Sequence, residues 1–357
     1  MVVFKIKIDN VYNFKNFEMN LSYPKKINNS LILNEHLKGY PNFRYKKAVV
    51  LIGSNATGKT CLGRIINNVS LYVNTLHEEY IKNMMNDNST IEITFVNDKP
   101  ILYKLSIVAN NDILNIKLYE NKISLKDSFE TCEEGLKISL EDDIKLIHQK
   151  IGNLECQFTY PEMNSKVEIN DKNKESFLKI LKCIIGALDP SLNDVMISKE
   201  IDNSFIIKRG NDNIIIQDGK LLNKEVLSSG TIEGIDIALF IASMKGKINK
   251  LYYCDEHFSY IHSDIEKYLL SIMIGKIRDN EQLFFTTHNI DILDMSLPKH
   301  TYAFLGRNNF NNKSFITFAD EYLKRNTDSV RCAYENDIFQ TYPDLSLLDE
   351  LVEDDEK

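Results

Sequence analysis

The amino-acid sequence predicts an α/β fold with a mixed β-sheet core, an antiparallel β-subdomain and a helical lid insertion. Three observations favour this class. An apolar run at 48–52 leads through a glycine-containing loop into a helical pattern, which is typical of a strand, a loop and a helix in succession. Three β-rich runs separated by Asn and Asp turns follow within 90–119, and a charged, helical pattern occupies 140–188.

The remaining elements are predicted in chain order from the same kinds of pattern. Further strands are expected at 3–8, 19–21, 205–208, 213–216, 251–254 and 283–285. The β-rich runs at 90–95, 101–108 and 113–119 are expected to form an antiparallel meander. Helices are expected after residue 58, with an apolar face at 62, 65, 66 and 69, and also within 177–185 and at 231–244.

Composition places the 357-residue chain among ordinary globular proteins, at 43% hydrophobic and 26% charged residues. No apolar run approaches the roughly 18 residues that a membrane span requires. The N-terminus lacks the apolar stretch of a signal peptide, so we expect a cytoplasmic protein. Six cysteines without a C-x-x-C pair argue against zinc or disulfides and favour reduced packing residues. A net charge of −8 gives no global attraction to nucleic acid.

The loop after the apolar run at 48–52 fits the phosphate-binding pattern G-x-x-x-x-G-K-[ST]. Its residues are Gly53, Ser54, Asn55, Ala56, Thr57, Gly58, Lys59 and Thr60. Glycines let backbone N–H groups converge on phosphate oxygens, and the following helix adds the positive end of its dipole. Lys59 is expected to reach the β- and γ-phosphates, and the Thr60 hydroxyl is expected to ligate Mg²⁺. The loop therefore predicts binding of a nucleoside triphosphate.

Two adjacent carboxylates, Asp255 and Glu256, follow the apolar run at 251–254. Phosphoryl-transfer sites place a metal-side acid at such a strand end, together with a group that orients or deprotonates water. We expect Asp255 to join the Mg²⁺ shell and Glu256 to act on the attacking water. Taken alone, the pair fits a solvated turn equally well, but the phosphate-binding loop favours the catalytic interpretation.

Two further segments fit the same site. His288 follows the buried run at 283–287 and is placed to hydrogen-bond the γ-phosphate or the water, although a capping or core histidine is the alternative. Ser228, Ser229 and Gly230 precede the helix at 231–244, where hydroxyls and free helix N–H groups form an anion site. Taken alone, that segment is an N-cap.

The order of these four features resembles the ATP-binding-cassette (ABC) ATPases and their relatives in the SMC family. The sequence LSSGT at 227–231 resembles the cassette signature LSGGQ, and Asp255 with Glu256 resembles the Walker B pair. His288 resembles the switch histidine, and 260–264 falls where the family has its D-loop. The resemblance implies an ABC-type head with a P-loop NTPase core that binds ATP and Mg²⁺ and hydrolyses ATP.

The same resemblance implies a homodimer or a higher homo-oligomer. Two nucleotide sites form between two subunits in that family, so Ser228, Ser229 and Gly230 would act on the nucleotide held by the partner. One feature departs from the family, because no glutamine occurs between residues 60 and 149. Neither Gln149 nor Gln157 is assigned as the Q-loop residue.

A narrower set of features resembles the AAA-type ATPases of bacterial abortive-infection and overcoming-lysogenization-defect systems. These features are Asp255-Glu256, the histidine six residues later, the sequence at 286–289, Ser329-Val330-Arg331, Tyr334 and Phe339. In that group the ATPase often senses phage or restrains a toxic effector. The segment after His288 is too short for the Toprim nuclease that some members carry, so an effector nuclease or toxin would be a separate chain.

The resemblance divides the chain into four expected parts. Residues 1–130 form an N-terminal ATPase lobe with the phosphate-binding loop and the antiparallel β-subdomain, and 131–225 form a mostly helical lid. Residues 226–325 form the C-terminal ATPase lobe with the signature, the Walker B pair and the switch histidine. Residues 326–357 form an extension with an acidic tail.

Other residues receive secondary roles. Lys46 and Lys47 are expected at a solvated strand edge, and His257 is expected to be a solvated neighbour of the acidic pair. His262 is placed to contact the opposite subunit. The residues considered for contact with the adenine are Arg44, Tyr12 and Phe14.

The leading hypothesis is a Mg²⁺-dependent ATPase whose two copies close on ATP and separate on hydrolysis, as the regulatory ATPase of an anti-phage system. A DNA-binding ATPase of the SMC and recombination type in DNA repair is the alternative, although long heptads are absent and the charge is acidic. Nucleic acid therefore stays open as a partner, and no membrane partner is expected. A transporter subunit and a non-hydrolysing nucleotide sensor are further alternatives.

Overall fold

The part of the chain that the computed structural model describes forms eighteen strands and nine α-helices. The described residues are 1–26, 30–111, 113–161, 174–192, 194–210, 212–218, 220–222, 227–244, 246, 250–308, 313–325 and 327–342. The strands are β1 Val2–Val11, β2 Phe17–Asn20, β3 His36–Leu37, β4 Tyr40–Arg44, β5 Ala48–Ile52, β6 Met85–Val96, β7 Ile101–Asn110, β8 Ile113–Lys122, β9 Lys137–Glu141, β10 Cys156–Thr159, β11 Asp194–Ile197, β12 Ser204–Arg209, β13 Asp212–Gln217, β14 Lys220–Leu221, β15 Leu251–Asp255, β16 Gln282–Thr287, β17 Tyr302–Arg307 and β18 Ser314–Phe318.

The helices connect or cover these strands. The α-helices are α1 Lys59–Thr75, α2 Glu79–Lys82, α3 Phe129–Glu134, α4 Ile144–Ile151, α5 Lys174–Leu188, α6 Ser229–Ser243, α7 Ser263–Lys276, α8 Ala319–Tyr322 and α9 Val330–Glu335. Two short 3₁₀ helices occupy Ile290–Asp294 and Lys299–Thr301. No helix in the described part of the chain is long and apolar enough to cross a membrane.

The central sheet has six strands in the order β10-β15-β16-β5-β17-β18. The first five strands run parallel and β18 is antiparallel to β17. The strands predicted at 48–52, 251–254 and 283–285 are confirmed, and they are neighbours as β5, β15 and β16. Because the carboxyl ends of parallel strands meet at one edge of a sheet, the phosphate-binding loop, the acidic pair and His288 come together there.

Strand β5 lies between two hydrophobic cores, which explains its continuous apolar sequence. Val50 and Ile52 point into one core, whereas Val49 and Leu51 point into the other. Each such side chain contributes about 1.5–3 kcal/mol when fully buried. The predicted apolar face of α1 is confirmed and covers the second core with Leu62, Ile65, Ile66 and Val69. The predicted helix at 231–244 is confirmed as α6, which covers the first core.

An antiparallel sheet in the order β2-β1-β6-β7-β8-β9 lies beside the central sheet. Its strands β6, β7 and β8 confirm the predicted meander, and β1 and β2 confirm the predicted N-terminal strands. The buried Gln282 connects the two sheets, because its side chain accepts from Val3 N–H at 3.0 Å and donates to the carbonyls of Val3 and Lys46. This amide therefore satisfies three backbone groups at the junction of the two sheets.

The structure corrects the predicted helical stretch at 140–188. Helix α5 is confirmed, and Phe177, Leu181, Ile184 and Ile185 are buried on one face. Two strands also lie in this region, since β9 extends into it and β10 pairs with β15 at the edge of the central sheet. Residues 162–173 lie outside the described residues. The predicted hairpin is confirmed as β12 and β13, with Gly210 at a φ of +59° before the second strand.

Two expectations about single residues are wrong for tertiary reasons. Lys46 and Lys47 are buried rather than solvated: the Lys46 ammonium lies 3.0 Å from the centroid of the Phe318 ring, and Lys47 Nζ donates to Leu33 O at 2.8 Å. All six cysteines are free, but Cys183 and Cys332 are exposed and do not pack in a core. The predicted acidic tail at 349–357 lies outside the described residues, and the four-part division stays a prediction.

Candidate functional site

The phosphate-binding loop connects β5 to α1, and its two glycines are required by its shape. A Cβ on Gly53 would lie 2.3 Å from Leu305 O, so no side chain fits there. Gly58 has a φ of +115°, and a Cβ would lie 2.8 Å from the Phe14 ring. Ala56 also has a positive φ, of +62°. The loop therefore has the tight, positive-φ backbone that the phosphate-binding pattern requires.

Lys59 lies across this loop and meets the acidic strand end. Its ammonium donates to the carbonyls of Gly53 at 2.8 Å and Ser54 at 3.1 Å, and it lies 3.1 Å from the Glu256 carboxylate. Burial lowers the pKa of Lys59, and the neighbouring Glu256 carboxylate opposes that shift. The Tyr253 hydroxyl donates to Lys59 O at 2.5 Å and so holds the backbone at the start of α1. Lys59 is thus held where it can exchange backbone carbonyls for phosphate oxygens.

Thr60 and Asp255 face one another across the start of α1. Asp255 is buried and accepts hydrogen bonds from the side chains of Thr60 and Thr286, the latter at 2.7 Å. Burial raises the pKa of Asp255, and these two hydrogen bonds act against it. A hydroxyl beside a carboxylate is a hard-oxygen pair of the kind that Mg²⁺ prefers, next to a loop that fits phosphates. The residues present therefore fit the predicted metal position.

Glu256 is the most constrained group of the site. Its φ is +50°, and its N–H donates to the carbonyl and hydroxyl of Thr286 at 3.3 and 3.0 Å. Its carboxylate lies 2.8 Å from His288 Nε2 as well as 3.1 Å from Lys59 Nζ. The hydrogen bond with His288 and the charge of Lys59 lower the pKa of Glu256 to about 2, although burial opposes them. The carboxylate is therefore ionised at neutral pH and held as a hydrogen-bond acceptor between these two neighbours.

The structure does not join the predicted signature segment to the phosphate-binding loop of the same chain. Ser228 is the N-cap of α6, where its Oγ accepts from Thr231 N–H at 3.2 Å. Within the described residues, the hydrogen bonds of the Ser228 side chain stay inside this turn. A Cβ on Gly230 would lie 2.7 Å from Tyr260 O, so this glycine permits close contact with the predicted D-loop. Ser228 and Ser229 are exposed.

His257 corrects the sequence expectation, because it is buried rather than solvated. It is 1% exposed, and its Nε2 lies 2.7 Å from Thr159 Oγ1 at the end of β10. Burial lowers its pKa to about 4, so the ring is neutral. The sequence does not predict this contact with Thr159, because its pattern does not indicate a strand at β10.

The two glutamines considered for the Q-loop do not reach the site edge. Gln149 is exposed on α4, and Gln157 lies inside β10 opposite Tyr252. Strand β10, which pairs with β15, ends at Thr159 rather than at a glutamine.

The residues considered for the adenine separate into two groups. Tyr12 lies in the turn between β1 and β2 with a φ of +50°, is 41% exposed and lies near Cys61 and Arg64 of α1. Phe14 is buried against Gly58. Arg44 precedes the start of β5, about 16 Å of strand from the phosphate-binding loop, and its guanidinium donates to Pro24 O. Tyr12 thus lies near the start of α1, whereas Arg44 lies at the opposite end of β5, and contact of either residue with the adenine stays a prediction.

Comparison with known proteins bears on the fold alone. No protein-family model matches the chain, and no curated protein matches it. The chain is similar to a solved SMC head bound to the C-winged helix domain of ScpA, with a TM-score of 0.51 and 12% identity over 89% of this chain and 98% of that chain. It is also similar to the SMC head domain from Thermotoga maritima, with a TM-score of 0.49 and 14% identity over 89% and 99%. The similarity confirms the predicted α/β fold class, because the chain has the fold of an SMC head domain.

Proposed function

We propose that this chain is a Mg²⁺-dependent ATPase of the ABC type. The observation that carries the proposal is the position of the Glu256 carboxylate, which lies between Lys59 and His288 beside the Thr60 and Asp255 pair. The Glu256 carboxylate, the Lys59 ammonium and the predicted metal position thus lie together beside the loop at 53–60. Such convergence fits transfer of a phosphoryl group to water better than nucleotide storage.

Each residue of the site has its own role in the proposed reaction. Lys59 leaves the carbonyls of Gly53 and Ser54 and binds the β- and γ-phosphate oxygens of ATP. Glu256 accepts the proton of the attacking water, and His288 holds Glu256 and the water in line. Thr60 and Asp255 would hold Mg²⁺, and the bound ion would supply positive charge that neutralises the phosphate oxygens. The buried walls around Asp255 strengthen these charge interactions because they exclude water.

Two copies of the chain are proposed to close around shared nucleotides. The N-terminus of α6 carries the exposed Ser228 and Ser229 next to Gly230, and the end of such a helix favours an anion. Placed against the triphosphate held by a partner, it completes the pocket from the opposite side. ATP then favours the closed dimer through its own contacts, and hydrolysis releases it.

Two roles in the cell are candidates for this ATPase. Similarity to a solved SMC head favours an alternative in which the closed dimer holds DNA, as expected of a DNA-repair ATPase. DNA-stimulated hydrolysis that declines steeply with salt would support that alternative. The regulatory role in an anti-phage system with a separate effector rests on the motif resemblance alone. Capture of a nuclease or toxin chain with the purified ATPase would support it.

The Mg²⁺ dependence of phosphate release tests the proposed function. We expect the wild-type protein to release phosphate from ATP with Mg²⁺ and not with excess chelator. Asp255→Asn should raise the half-saturating Mg²⁺ concentration at least about tenfold, because a neutral amide is a weaker ligand than a carboxylate. Asp98→Asn removes an exposed carboxylate and serves as the control. Wild-type protein that releases no phosphate above background would refute the proposal.

A further inference from the structure

One buried carboxylate holds both chain neighbours of the candidate switch histidine. Glu266 Oε1 accepts from the Thr287 hydroxyl at 2.6 Å, and its Oε2 accepts from the Asn289 side-chain amide at 2.6 Å. Glu266 is 1% exposed and lies one turn into α7. Burial raises the pKa of Glu266, and the two hydrogen bonds oppose that rise. His288 therefore lies between two residues that are fixed by a single side chain.

Additional hydrogen bonds fix the same short loop. The Asn289 amide also donates to Ser263 Oγ at 3.0 Å, and Ser263 lies on the same face of α7 as Glu266. Asn289 N–H donates to the Thr287 hydroxyl oxygen at 3.0 Å. The loop is thus tied at both ends, whereas the His288 side chain is 39% exposed and bonds to Glu256.

Space is available for His288 to leave that position. A cavity of about 400 Å³ lies between the start of α7 and the end of β16, and its lining includes Glu256, Ser263, Glu266 and His288. Packing therefore does not hold the imidazole against Glu256. The residues on either side of His288 therefore have to fix its position, and Glu266 holds the side chains of both.

We propose that Glu266 is a positioning residue that aims His288 Nε2 at Glu256 by fixing Thr287 and Asn289. This inference rests on the proposed ATPase function of the same site. A carboxylate suits the task because it accepts from a hydroxyl and an amide at once, one on each oxygen. Glutamine at this position would turn its own N–H₂ group towards one of the two donors. A displacement of about 1 Å at a catalytic group can reduce turnover about a hundred-fold.

A purely structural role for Glu266 predicts a different outcome from a positioning role. A structural residue lowers the melting temperature and the active fraction, but the molecules that remain folded react normally. A positioning residue lowers kcat at unchanged KM and ATP affinity. It also acts through His288, so its removal has no effect once the imidazole is gone.

The test is a double-mutant cycle on the full chain with Glu266→Gln, His288→Ala and both together. We expect Glu266→Gln to lower kcat between about tenfold and a hundred-fold, with KM and ATP Kd changed less than about threefold. The double variant should be no slower than His288→Ala. The control is Asp294→Asn, which removes a half-exposed carboxylate nearby and should keep kcat within about twofold.

Each outcome of this test bears on the proposal. A wild-type kcat in Glu266→Gln, or effects that multiply in the double variant, would overturn it. If Glu266→Gln does not fold, Asn289→Ala removes one of the two hydrogen bonds from the other side and has to show the same loss of kcat and the same cycle with His288→Ala. An inactive wild-type protein would refute the proposed function, whereas an active wild type with an unaffected Glu266→Gln overturns this inference alone.

Discussion

Glu256→Gln is expected to lower kcat about a thousand-fold while ATP affinity stays within about threefold of the wild type. Glutamine keeps the size of the side chain but cannot accept a proton from water at neutral pH. The wild-type carboxylate is held ionised, because the His288 hydrogen bond and the Lys59 charge lower its pKa to about 2. The site should therefore bind ATP normally and fail at the chemical step.

Single-turnover phosphate release and equilibrium binding of a fluorescent ATP analogue together measure this split. The matched control is Glu78→Gln, which makes the same change at an exposed carboxylate that pairs with Lys82 on α2. Turnover of Glu256→Gln within about tenfold of the wild type would assign the base to another group.

Lys59→Ala is expected to weaken ATP binding about a hundred-fold, because it removes a charge-assisted contact with the triphosphate. Lys59 also donates to the carbonyls of Gly53 and Ser54, so alanine leaves these two groups without that donor. Glu256 loses a cationic neighbour at the same time, and its pKa should rise. Both affinity and turnover should therefore decline.

Isothermal titration with ATP and Mg²⁺ measures the loss of affinity. The control is Lys38→Ala, which removes an ammonium with 74% side-chain exposure from the turn before β4. Thermal unfolding of the two variants separates a binding defect from a folding defect. An ATP affinity of Lys59→Ala equal to that of the wild type would place the triphosphate elsewhere on the molecule.

Much of the central sheet was predictable, because its strands are continuous apolar runs. Parallel strands buried on both faces leave that signal, as in β5 with all five residues buried. The phosphate-binding loop, the acidic pair and His288 were predictable for a related reason, since each follows such a strand. The carboxyl ends of β5, β15 and β16 then bring them together without further information.

The structural features that the sequence does not predict depend on contacts with residues far along the chain. Strand β10 has four residues and owes its pairing to β15, so its local pattern carried no strand signal. The sequence favours a surface position for Lys46, but in the fold its ammonium lies over the Phe318 ring of β18. Nothing in the sequence distinguishes Glu266 from a surface acid of a helix, because its partners Thr287 and Asn289 lie 21 and 23 residues further along the chain. Contacts of this kind are set by packing and leave no periodic trace in sequence.

A subunit-mixing experiment tests the central claim, that two copies share each nucleotide, most directly. Lys59→Ala disables the phosphate-binding loop, and Ser229→Arg places a bulky side chain at the exposed start of α6. Each variant alone should be inactive, because both sites of its dimer are incomplete. Mixed in equal amounts, half of the dimers should contain one intact site of two, which restores about a quarter of wild-type ATPase activity. Activity in the mixture that does not exceed the average of the separate variants would contradict the shared site.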